Sequence, residues 1–281
     1  MEIKEILQQN NFRFNKNLGQ NFITDGNLLN AIVSDAGITK DDVVIEIGTG
    51  AGTLTRALAK VAKKVHTFEV DANLLPIIET VLAPYDNVEV HLGDVLKMSD
   101  EEIKVWVPEQ CKVVANLPYY ITTPLIMRFI ESGIDVISLT LMMQSEVADR
   151  IVAKENLPQY GSISVAVQAV ADAEITRFID RRLFYPIPNV DSALVKIIIN
   201  KNKYDFADFP TFKKVAKSAF LMRRKTLVNN LISVFPLKKI DCENILISLN
   251  LSPLVRGEAL SVKQLKELSD AIFYYVKGDK R

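Results

Sequence analysis

Four apolar runs with the composition of buried strands are each followed by residues that could bind a ligand. The first run leads into a glycine-rich turn at Gly48, the second ends at Glu69, the third leads to Asp94 and the fourth to Asn116. Glycines between a strand and a helix let a ligand approach the backbone, and carboxylates can accept hydrogen bonds from ribose hydroxyls and an adenine amine. Ligands bind beyond the carboxyl ends of parallel strands, so these positions predict a site for an adenosine-containing cofactor.

The residues after the fourth run indicate what this cofactor does. Residues 116–119 read NLPY. The nitrogen of an exocyclic amine has a delocalised lone pair. The Asn116 side-chain oxygen and the Leu117 carbonyl could accept its two N–H bonds and turn that lone pair towards a methyl donor. Pro118 fixes the turn, and the Tyr119 ring could stack on a base. The motif favours S-adenosylmethionine and methylation of an amine.

The spacing of the glycines argues against an NAD-dependent oxidoreductase. Residues 48–52 read GTGAG, which is GxGxG. Dinucleotide-binding sheets have GxGxxG, in which the third glycine comes one position later. The sequence also offers no residue placed to relay a proton during hydride transfer. We therefore disfavour that class.

Short apolar runs alternate with segments of helical periodicity between residues 26 and 200. The apolar runs cover residues 42–48, 64–71, 87–94, 112–118 and 136–143. This alternation predicts a parallel sheet with helices on both faces. Residues 193–200 are a further strand candidate, and residues 162–171 fit a strand or a helix. After a polar linker at 201–210 the pattern is only helical, which predicts a domain boundary near residue 200.

Composition limits the class of protein further. The 281 residues are 48% hydrophobic and 24% charged, which is enough apolar material for a packed core. Cys111 and Cys242 have no CxxC or Cys/His spacing around them, so we expect no metal site. His66 and His91 lie inside strand patterns and pair with no nucleophile motif, so we expect them to be structural and not catalytic. The polar N-terminus has no signal-peptide core, and no run of about 18 apolar residues occurs. We expect a cytoplasmic protein without a membrane span.

The charges balance but are unevenly placed. The net charge is zero, from 34 basic and 34 acidic residues. Between Phe212 and Lys225 there is no acid, but there are six basic residues: Lys213, Lys214, Lys217, Arg223, Arg224 and Lys225. Such a run is usually a solvated helix face, and it is also the local arrangement that contacts phosphates in a nucleic-acid-binding protein.

Several motifs resemble those of the ribosomal RNA adenine dimethyltransferases. Besides NLPY, the segments are FNKNLGQNFITD at 14–25, VIEIGTGAGTLT at 44–55, LFYPIPNVDSALVKI at 183–197, AFLMRRKTLVNNL at 219–231 and RGEALSVKQLKEL at 256–268. The first is similar to the family's N-terminal motif and the second to its glycine-rich motif. The third resembles a later motif of the family, and the last two resemble its C-terminal helical domain. The resemblance spans nearly the whole chain.

This resemblance implies a fold and roles for individual residues. The fold would be α/β, with a Rossmann-like class I methyltransferase sheet over residues 1–200. A small all-helical domain that binds RNA or the ribosome would follow over residues 201–281. S-adenosylmethionine would contact Asn21, the Ile23 backbone, Gly48, Glu69, Asp94 and Asn116. The catalytic residues would be Asn116, Leu117, Pro118 and Tyr119, and Phe184 would provide a second stacking face for a flipped adenine.

The C-terminal motifs resemble the small-subunit, KsgA/RsmA-type branch of the family more than the Erm-type branch, which acts on 23S rRNA. The resemblance implies a monomeric enzyme that dimethylates N6 of two adjacent adenosines in the 3′-terminal hairpin loop of 16S rRNA, within the immature small ribosomal subunit. The basic run would contact RNA phosphates. The alternatives are an Erm-type enzyme, a ribosome assembly factor that retains the cofactor site, and a DNA adenine or glutamine methyltransferase.

Overall fold

The computed structural model describes residues 3–10, 12–15 and 18–278, except for the side chains of Ile3, Lys4 and Tyr119. Within this part, the first of two units comprises the residues up to Ala148 and Ala173–Ile199, and the second comprises Asp149–Asp172 and the residues from Asn200 onward. The break after Ile199 lies beside the predicted boundary. Residues 149–172, which the predicted boundary assigns to the first domain, instead group with the C-terminal residues. A helix over 162–168 packs against the helix that begins at Phe209, a contact that periodicity alone does not reveal.

The first unit is built around a seven-stranded sheet. The strands, in chain order, are β1 Phe22–Ile23, β2 Val43–Ile47, β3 Lys64–Glu69, β4 Val88–Leu92, β5 Cys111–Asn116, β6 Val136–Gln144, β7 Ala171–Ile179, β8 Phe184–Tyr185 and β9 Ser192–Ile199. The sheet has the order β4-β3-β2-β5-β6-β9-β7, and β1 pairs with β8 in a separate ribbon. Strands β2 to β6 are parallel, as predicted, and lie within two residues of the expected limits.

Helices connect these strands and form the second unit. Those among the described residues are α1 Ile3–Gln9, α2 Gly26–Asp35, α3 Thr53–Ala59, α4 Leu75–Leu82, α5 Asp100–Trp106, α6 Thr122–Glu131, α7 Ser145–Val152, α8 Ser162–Gln168, α9 Phe209–Ala219, α10 Leu227–Ile232, α11 Lys239–Ser248 and α12 Val262–Lys277. Polar residues set where several of them begin. Asp25 accepts a hydrogen bond from the Leu28 N–H at the start of α2, and Ser99 and Glu102 form a capping box at α5.

The packing of α2 and α3 positions the loop that follows β2. Side chains of both helices share one buried cluster with Val44, Val65 and Val114 of the central strands. All five residues of β2 are buried, which explains why its sequence is a continuous apolar run interrupted only by Glu46. The turn between β2 and α3 is therefore anchored on both sides by the core.

The far edge of the sheet differs from the prediction. Strand β9 runs antiparallel to β6 instead of parallel to it. Residues 162–168 form helix α8, and β7, which the sequence does not predict, begins at Ala171. Only the first and last residues of β7 are buried, so its sequence lacks the apolar run of a central strand.

The second unit is helical over residues 209–277, as predicted. Helix α9 packs against α8, α10 and α12, and α11 packs against α10 and α12. Helix α9 begins at Asp208, whose side chain accepts from the Thr211 N–H, and α12 begins at a capping box formed by Ser261 and Gln264. Among the described residues, no helix is both long and apolar enough to cross a membrane.

One glycine of the second unit permits a close approach of two backbone segments. A Cβ placed on Gly257 would lie 2.2 Å from the Ala219 carbonyl oxygen and 2.8 Å from the Ala219 Cβ. Neither neighbour can rotate away, because one is backbone and the other is attached to it. The end of α9 and the turn at 257–259 can therefore meet only if residue 257 is glycine.

We predict that Gly257→Ala lowers the free energy of unfolding by about 3 kcal/mol, the upper end of the usual cost of overpacking, because neither neighbour can move away. Denaturant titration followed by circular dichroism measures this change. Gly26→Ala is the matched control, since a Cβ there meets nothing within 4 Å and the residue opens α2. The control should be neutral or stabilising by up to about 1 kcal/mol. Equal stability of the two variants would contradict the prediction.

Candidate active site

A cavity of about 630 Å³ lies in the first unit beyond the carboxyl ends of β2, β3, β4 and β5. Its volume is typical of small-molecule sites, which span about 300–1,000 Å³. The predicted site residues that line it are Asn21, Ile23, Gly48, Glu69, Asp94, Asn116, Leu117, Pro118 and Phe184. The fold thus brings together residues that are up to 163 positions apart in the chain.

The glycine-rich turn is tied to the neighbouring strand. Gly48 and Gly50 have φ angles of +80° and +56°, which residues with a Cβ rarely adopt. The Gly48 N–H donates to the Phe68 carbonyl at 2.8 Å, and the Gly50 N–H donates to Glu69 Oε2 at 2.8 Å. These bonds hold the turn open towards the cavity.

Glu69 binds backbone groups with both of its oxygens. Its Oε1 accepts from the N–H groups of Val70 and Asp71, each at 2.9 Å, while Oε2 accepts from Gly50. A carboxylate oxygen has two lone pairs, so Oε2 can accept one more bond, as a ribose hydroxyl requires. Burial raises the pKa of Glu69, and the three backbone bonds oppose that rise.

Asp94 lies in the loop that follows β4. Its Oδ1 accepts from the Leu96 N–H at 3.1 Å, and its Oδ2 lies 3.3 Å from Lys97 Nζ. The Lys97 side chain is 83% exposed, so this ion pair is weak and gives way readily to a better partner. The Asp94 carboxylate is therefore placed to accept a hydrogen bond from an amine in the cavity.

Asn116 is held in one orientation by the N-terminal segment. Its Nδ2 donates to the Asn21 carbonyl at 2.9 Å, and Asn21 in turn donates to the Gly19 carbonyl at 3.1 Å. An amide nitrogen only donates, so Oδ1 is the side-chain atom that can accept from a target amine, and the Nδ2 bond fixes its direction. Leu117 and Pro118 line the cavity directly after it.

Tyr119 and Phe184 are the two aromatic residues predicted to stack on a base. Tyr119 begins a 3₁₀ helix that ends at Ile121, and its side chain lies outside the described part, so its stacking role stays a prediction. Phe184 is 3% exposed and lies in the buried cluster that contains Ile23. Phe184 also lines the cavity, so its stacking role stays a prediction.

Other residues that line or support the cavity were missed by the sequence analysis. Tyr120 is 62% exposed and lines the cavity, as does Val70, which is 53% exposed and follows Glu69. Gln20 donates to Asp71 Oδ2 at 2.7 Å and so joins the N-terminal segment to the end of β3. Val70 could have been predicted from its position next to Glu69. The Gln20–Asp71 contact could not, because the two residues are 51 positions apart and no local pattern links them.

A buried carboxyl group lies beneath the glycine-rich turn. Glu46 Oε2 accepts from the hydroxyls of Thr55 at 2.6 Å and Thr67 at 2.7 Å, and Thr49 lies 2.7 Å from Thr67. Since Thr67 donates its only hydrogen to Glu46, Thr49 must donate to Thr67. Complete burial raises the pKa of Glu46 to about 8, although the hydrogen bonds from the two hydroxyls act to lower it.

The six residues of the predicted basic run are exposed, and three of them also contact other residues of the second unit. Lys213 Nζ lies 5.6 Å from the Phe209 ring centre and Lys214 Nζ lies 4.6 Å from that of Phe235. Arg223 donates to the Pro158 carbonyl at 2.9 Å and lies 3.5 Å from a Glu258 carboxylate oxygen. The remaining members, which are also exposed, are Lys217, Arg224 and Lys225.

The two histidines stand apart from the described lining of the cavity and contact each other. His66 Nδ1 and His91 Nε2 are 3.1 Å apart on neighbouring strands β3 and β4. Burial lowers the pKa of His66 to about 4, although the nearby Glu89 opposes this, and burial also lowers the pKa of His91. Both imidazoles are therefore neutral at pH 7.

Comparisons with known proteins bear on this geometry. Residues 11–267 match the family model described as ribosomal RNA adenine dimethylase. The chain is 43% identical over 275 residues to ribosomal RNA small subunit methyltransferase A of Clostridioides difficile (strain 630), which covers 96% of this chain and 94% of that protein. It is 44% identical over 278 residues to the protein of the same name from Bacillus licheniformis, with the same coverage.

Solved structures show the same fold. A dimethyladenosine transferase from Plasmodium falciparum is 26% identical, with a TM-score of 0.78 over 92% of this chain and 98% of that one. The 23S rRNA methyltransferase ErmE is 24% identical, with a TM-score of 0.69 over 90% of this chain and 99% of that one. Fold and site together define a class I, Rossmann-like methyltransferase. Within that class, the chain belongs to the ribosomal RNA adenine dimethylase family.

We predict that Glu46 makes the stability of the protein depend on pH. Its pKa is about 8 in the folded state and 4.5 without burial. Its contribution to the free energy of unfolding is therefore complete below about pH 4.5 and is lost as the pH rises through 8. The slope for one proton is at most about 1.4 kcal/mol per pH unit. Glu46→Gln removes this titration while keeping an oxygen for Thr55 and Thr67.

Unfolding free energies of both proteins, measured by urea titration between pH 5 and 8, check this prediction. The stability of Glu46→Gln relative to the wild type should rise steadily over that range. Parallel pH profiles for the two proteins would show that Glu46 is ionised throughout.

Proposed function

We propose that this chain uses S-adenosylmethionine to dimethylate N6 of two adjacent adenosines in the 3′-terminal hairpin loop of 16S rRNA, acting as a monomer on the immature small ribosomal subunit. The observation that carries the proposal is the position of Asn116. It lies in the same cavity as Glu69 and Asp94, with its amide orientation fixed by Asn21. The names of the Clostridioides and Bacillus relatives favour the small subunit over the 23S rRNA named for ErmE.

The residues around the cavity fit S-adenosylmethionine. Glu69 Oε2 retains a lone pair for a ribose hydroxyl, and Asp94 can accept from the adenine amine. The turn at Gly48 and Gly50 presents backbone in place of side chains to the methionine end. When bound, S-adenosylmethionine supplies a methyl group that a sulfonium sulfur makes electrophilic.

Asn116 and Leu117 orient the target amine. The Asn116 Oδ1 and the Leu117 carbonyl accept its two N–H bonds, so the nitrogen lone pair is turned out of conjugation with the adenine ring and becomes nucleophilic. Asn116 cannot swing away, because Nδ2 is bound to the Asn21 carbonyl. Tyr119 stacks on the flipped base. The methylated nitrogen is cationic and releases its proton readily, so no strong general base is needed.

The second unit binds RNA through its local basic surface. With zero net charge, the chain has little long-range attraction for a polyanion, so binding depends on where the charges lie. The run from Lys213 to Lys225 combines six exposed cations with the exposed apolar side chains of Leu221 and Met222. This surface holds the small subunit by its phosphates.

Asn116→Ala should reduce methylation of adenosines by about 10²-fold or more, because it removes an acceptor that positions the reacting amine. The measurement is mass mapping of dimethyladenosine in unmethylated small subunits after incubation with the variant. Methylation at the wild-type rate would contradict the assigned role.

Glu69→Gln separates cofactor binding from catalysis in the same experiment. Loss of charge-assisted hydrogen bonds should weaken S-adenosylmethionine binding by about 1.5–3 kcal/mol in calorimetry, while Asn116→Ala should retain most of the affinity. If the wild type binds no S-adenosylmethionine, the cofactor assignment fails. If it binds the cofactor but methylates only 23S rRNA, the substrate assignment fails.

Reversing Lys217, Arg224 and Lys225 to glutamate should weaken binding to small subunits and flatten its salt dependence. Each lost phosphate contact should lower the slope of log affinity against log salt by about 0.7–0.9. These three residues are chosen because Lys213, Lys214 and Arg223 also make contacts within the second unit. Filter binding at several salt concentrations gives the slope.

A control with the same change in net charge reverses three exposed lysines elsewhere in the second unit: Lys238, Lys239 and Lys263. The last two form only weak ion pairs within their own helices, at 3.7 Å with Glu243 and at 4.0 Å with Glu267. It should leave the slope closer to that of the wild type. Equal effects of the two triple variants would indicate that total charge matters and that the basic run is not the binding surface.

A further inference from the structure

The two histidines of the chain and one glutamate meet on neighbouring strands. The sequence contains only two histidines, His66 on β3 and His91 on β4. In the parallel pairing of these strands, His66 lies opposite Glu89, and His91 lies two residues further along on the same face as Glu89. A single donor atom from each of the three residues points to one small region.

The separations of these donor atoms match those around one metal ion. His66 Nδ1 is 3.1 Å from His91 Nε2 and 3.3 Å from Glu89 Oε2, and His91 Nε2 is 4.0 Å from the same oxygen. Two donors that each lie about 2.0–2.1 Å from Zn²⁺ are about 3.4 Å apart at the tetrahedral angle and at most about 4.2 Å apart. The separation of 4.0 Å lies within this range, and those of 3.1 and 3.3 Å lie just below its lower end.

The surroundings hold the donors in place and leave one side open. Lys64 Nζ binds Glu89 Oε1 at 2.6 Å, which turns Oε2 towards the imidazoles. The His91 ring packs against the rings of Trp106 and Phe68, with ring centres 4.5 Å and 4.9 Å apart. The side chains of His66 and His91 are 2% and 11% exposed, whereas that of Glu89 is 47% exposed, so solvent reaches the cluster from the Glu89 side.

We propose that His66, Glu89 and His91 form a binding site for a divalent transition-metal ion of the zinc type, at the β3–β4 edge of the sheet. Two imidazoles and a carboxylate are a donor set that suits Zn²⁺, and a water molecule from the Glu89 side completes a tetrahedron. Of the two nitrogens that lie 3.1 Å apart, one carries a proton when both imidazoles are neutral. When the ion binds, that proton is released to solvent and the same ring takes up a proton at its other nitrogen, so both rings stay neutral and both facing nitrogens offer a lone pair.

Such an ion would fasten the edge strand of the sheet. Among the described strands, β4 pairs with β3 alone, and it leads directly into Gly93 and Asp94 at the cavity. Phe68, which packs on His91, also lines that cavity. Metal binding would therefore clamp β4 to β3 just before the residues proposed to hold the adenine of the cofactor.

The test uses the purified full chain, stripped of metal with a chelator and titrated with ZnCl₂. Calorimetry gives the stoichiometry, and imidazole ¹H–¹⁵N spectra report both histidines, whose two signals need no separation from others. We expect one Zn²⁺ per chain, shifts of both imidazole signals and a higher melting temperature. Glu89→Gln should weaken binding at least tenfold, and Glu174→Gln, an exposed strand glutamate on β7, should not.

The conservative variant at the half-exposed Glu89 keeps the test meaningful, since replacing the buried His66 could disturb folding. The proposal is overturned if Zn²⁺ does not bind saturably in the micromolar range. It is also overturned if Zn²⁺ binds without moving the imidazole signals, or if Glu89→Gln and Glu174→Gln bind with equal affinity.

Discussion

The three hydrogen bonds between Glu69 and backbone N–H groups hold the proposed cofactor site together. A carboxylate that is 5% exposed loses most of its water, and the N–H groups of Gly50, Val70 and Asp71 offset that loss. Gly50 belongs to the loop after β2 and the other two to the end of β3. The group suited to bind a ribose therefore also sets the spacing of the two loops that surround it. A change at Glu69 alters both functions at once.

The part of the fold that follows from local pattern is the part that could be predicted. Strands β2, β3, β5 and β6 are largely buried, whereas the edge strand β4 is partly exposed. All five read as apolar runs, and the residues at or just after the ends of β2 to β5 are Gly48, Glu69, Asp94 and Asn116. Because parallel strands place their carboxyl ends at one edge, the meeting of these residues follows from strand order alone. The roles in binding and catalysis remain proposals that the geometry favours.

The errors have a common physical origin, which is that non-local contacts decide them. Strand β7 is buried only at its ends, and helix α8 joins the second unit through packing on α9. The sequence also does not predict the pairing of β8 with β1, because these two short strands lie far apart in the chain and have no periodicity to detect. His66 and Glu89 become neighbours only through the register of β3 and β4. Such features require the assembled sheet.

The buried carboxyl of Glu46 also affects the net charge of the molecule. The formal net charge of zero at pH 7 counts every glutamate as ionised and every histidine as neutral. Burial keeps the histidines neutral, as that count assumes, but with a pKa of about 8 Glu46 is mostly protonated. On that count, the proton held by Glu46 moves the net charge of the folded chain at pH 7 from zero towards one positive charge. An isoelectric point calculated from composition leaves out a proton that is held where water cannot reach it.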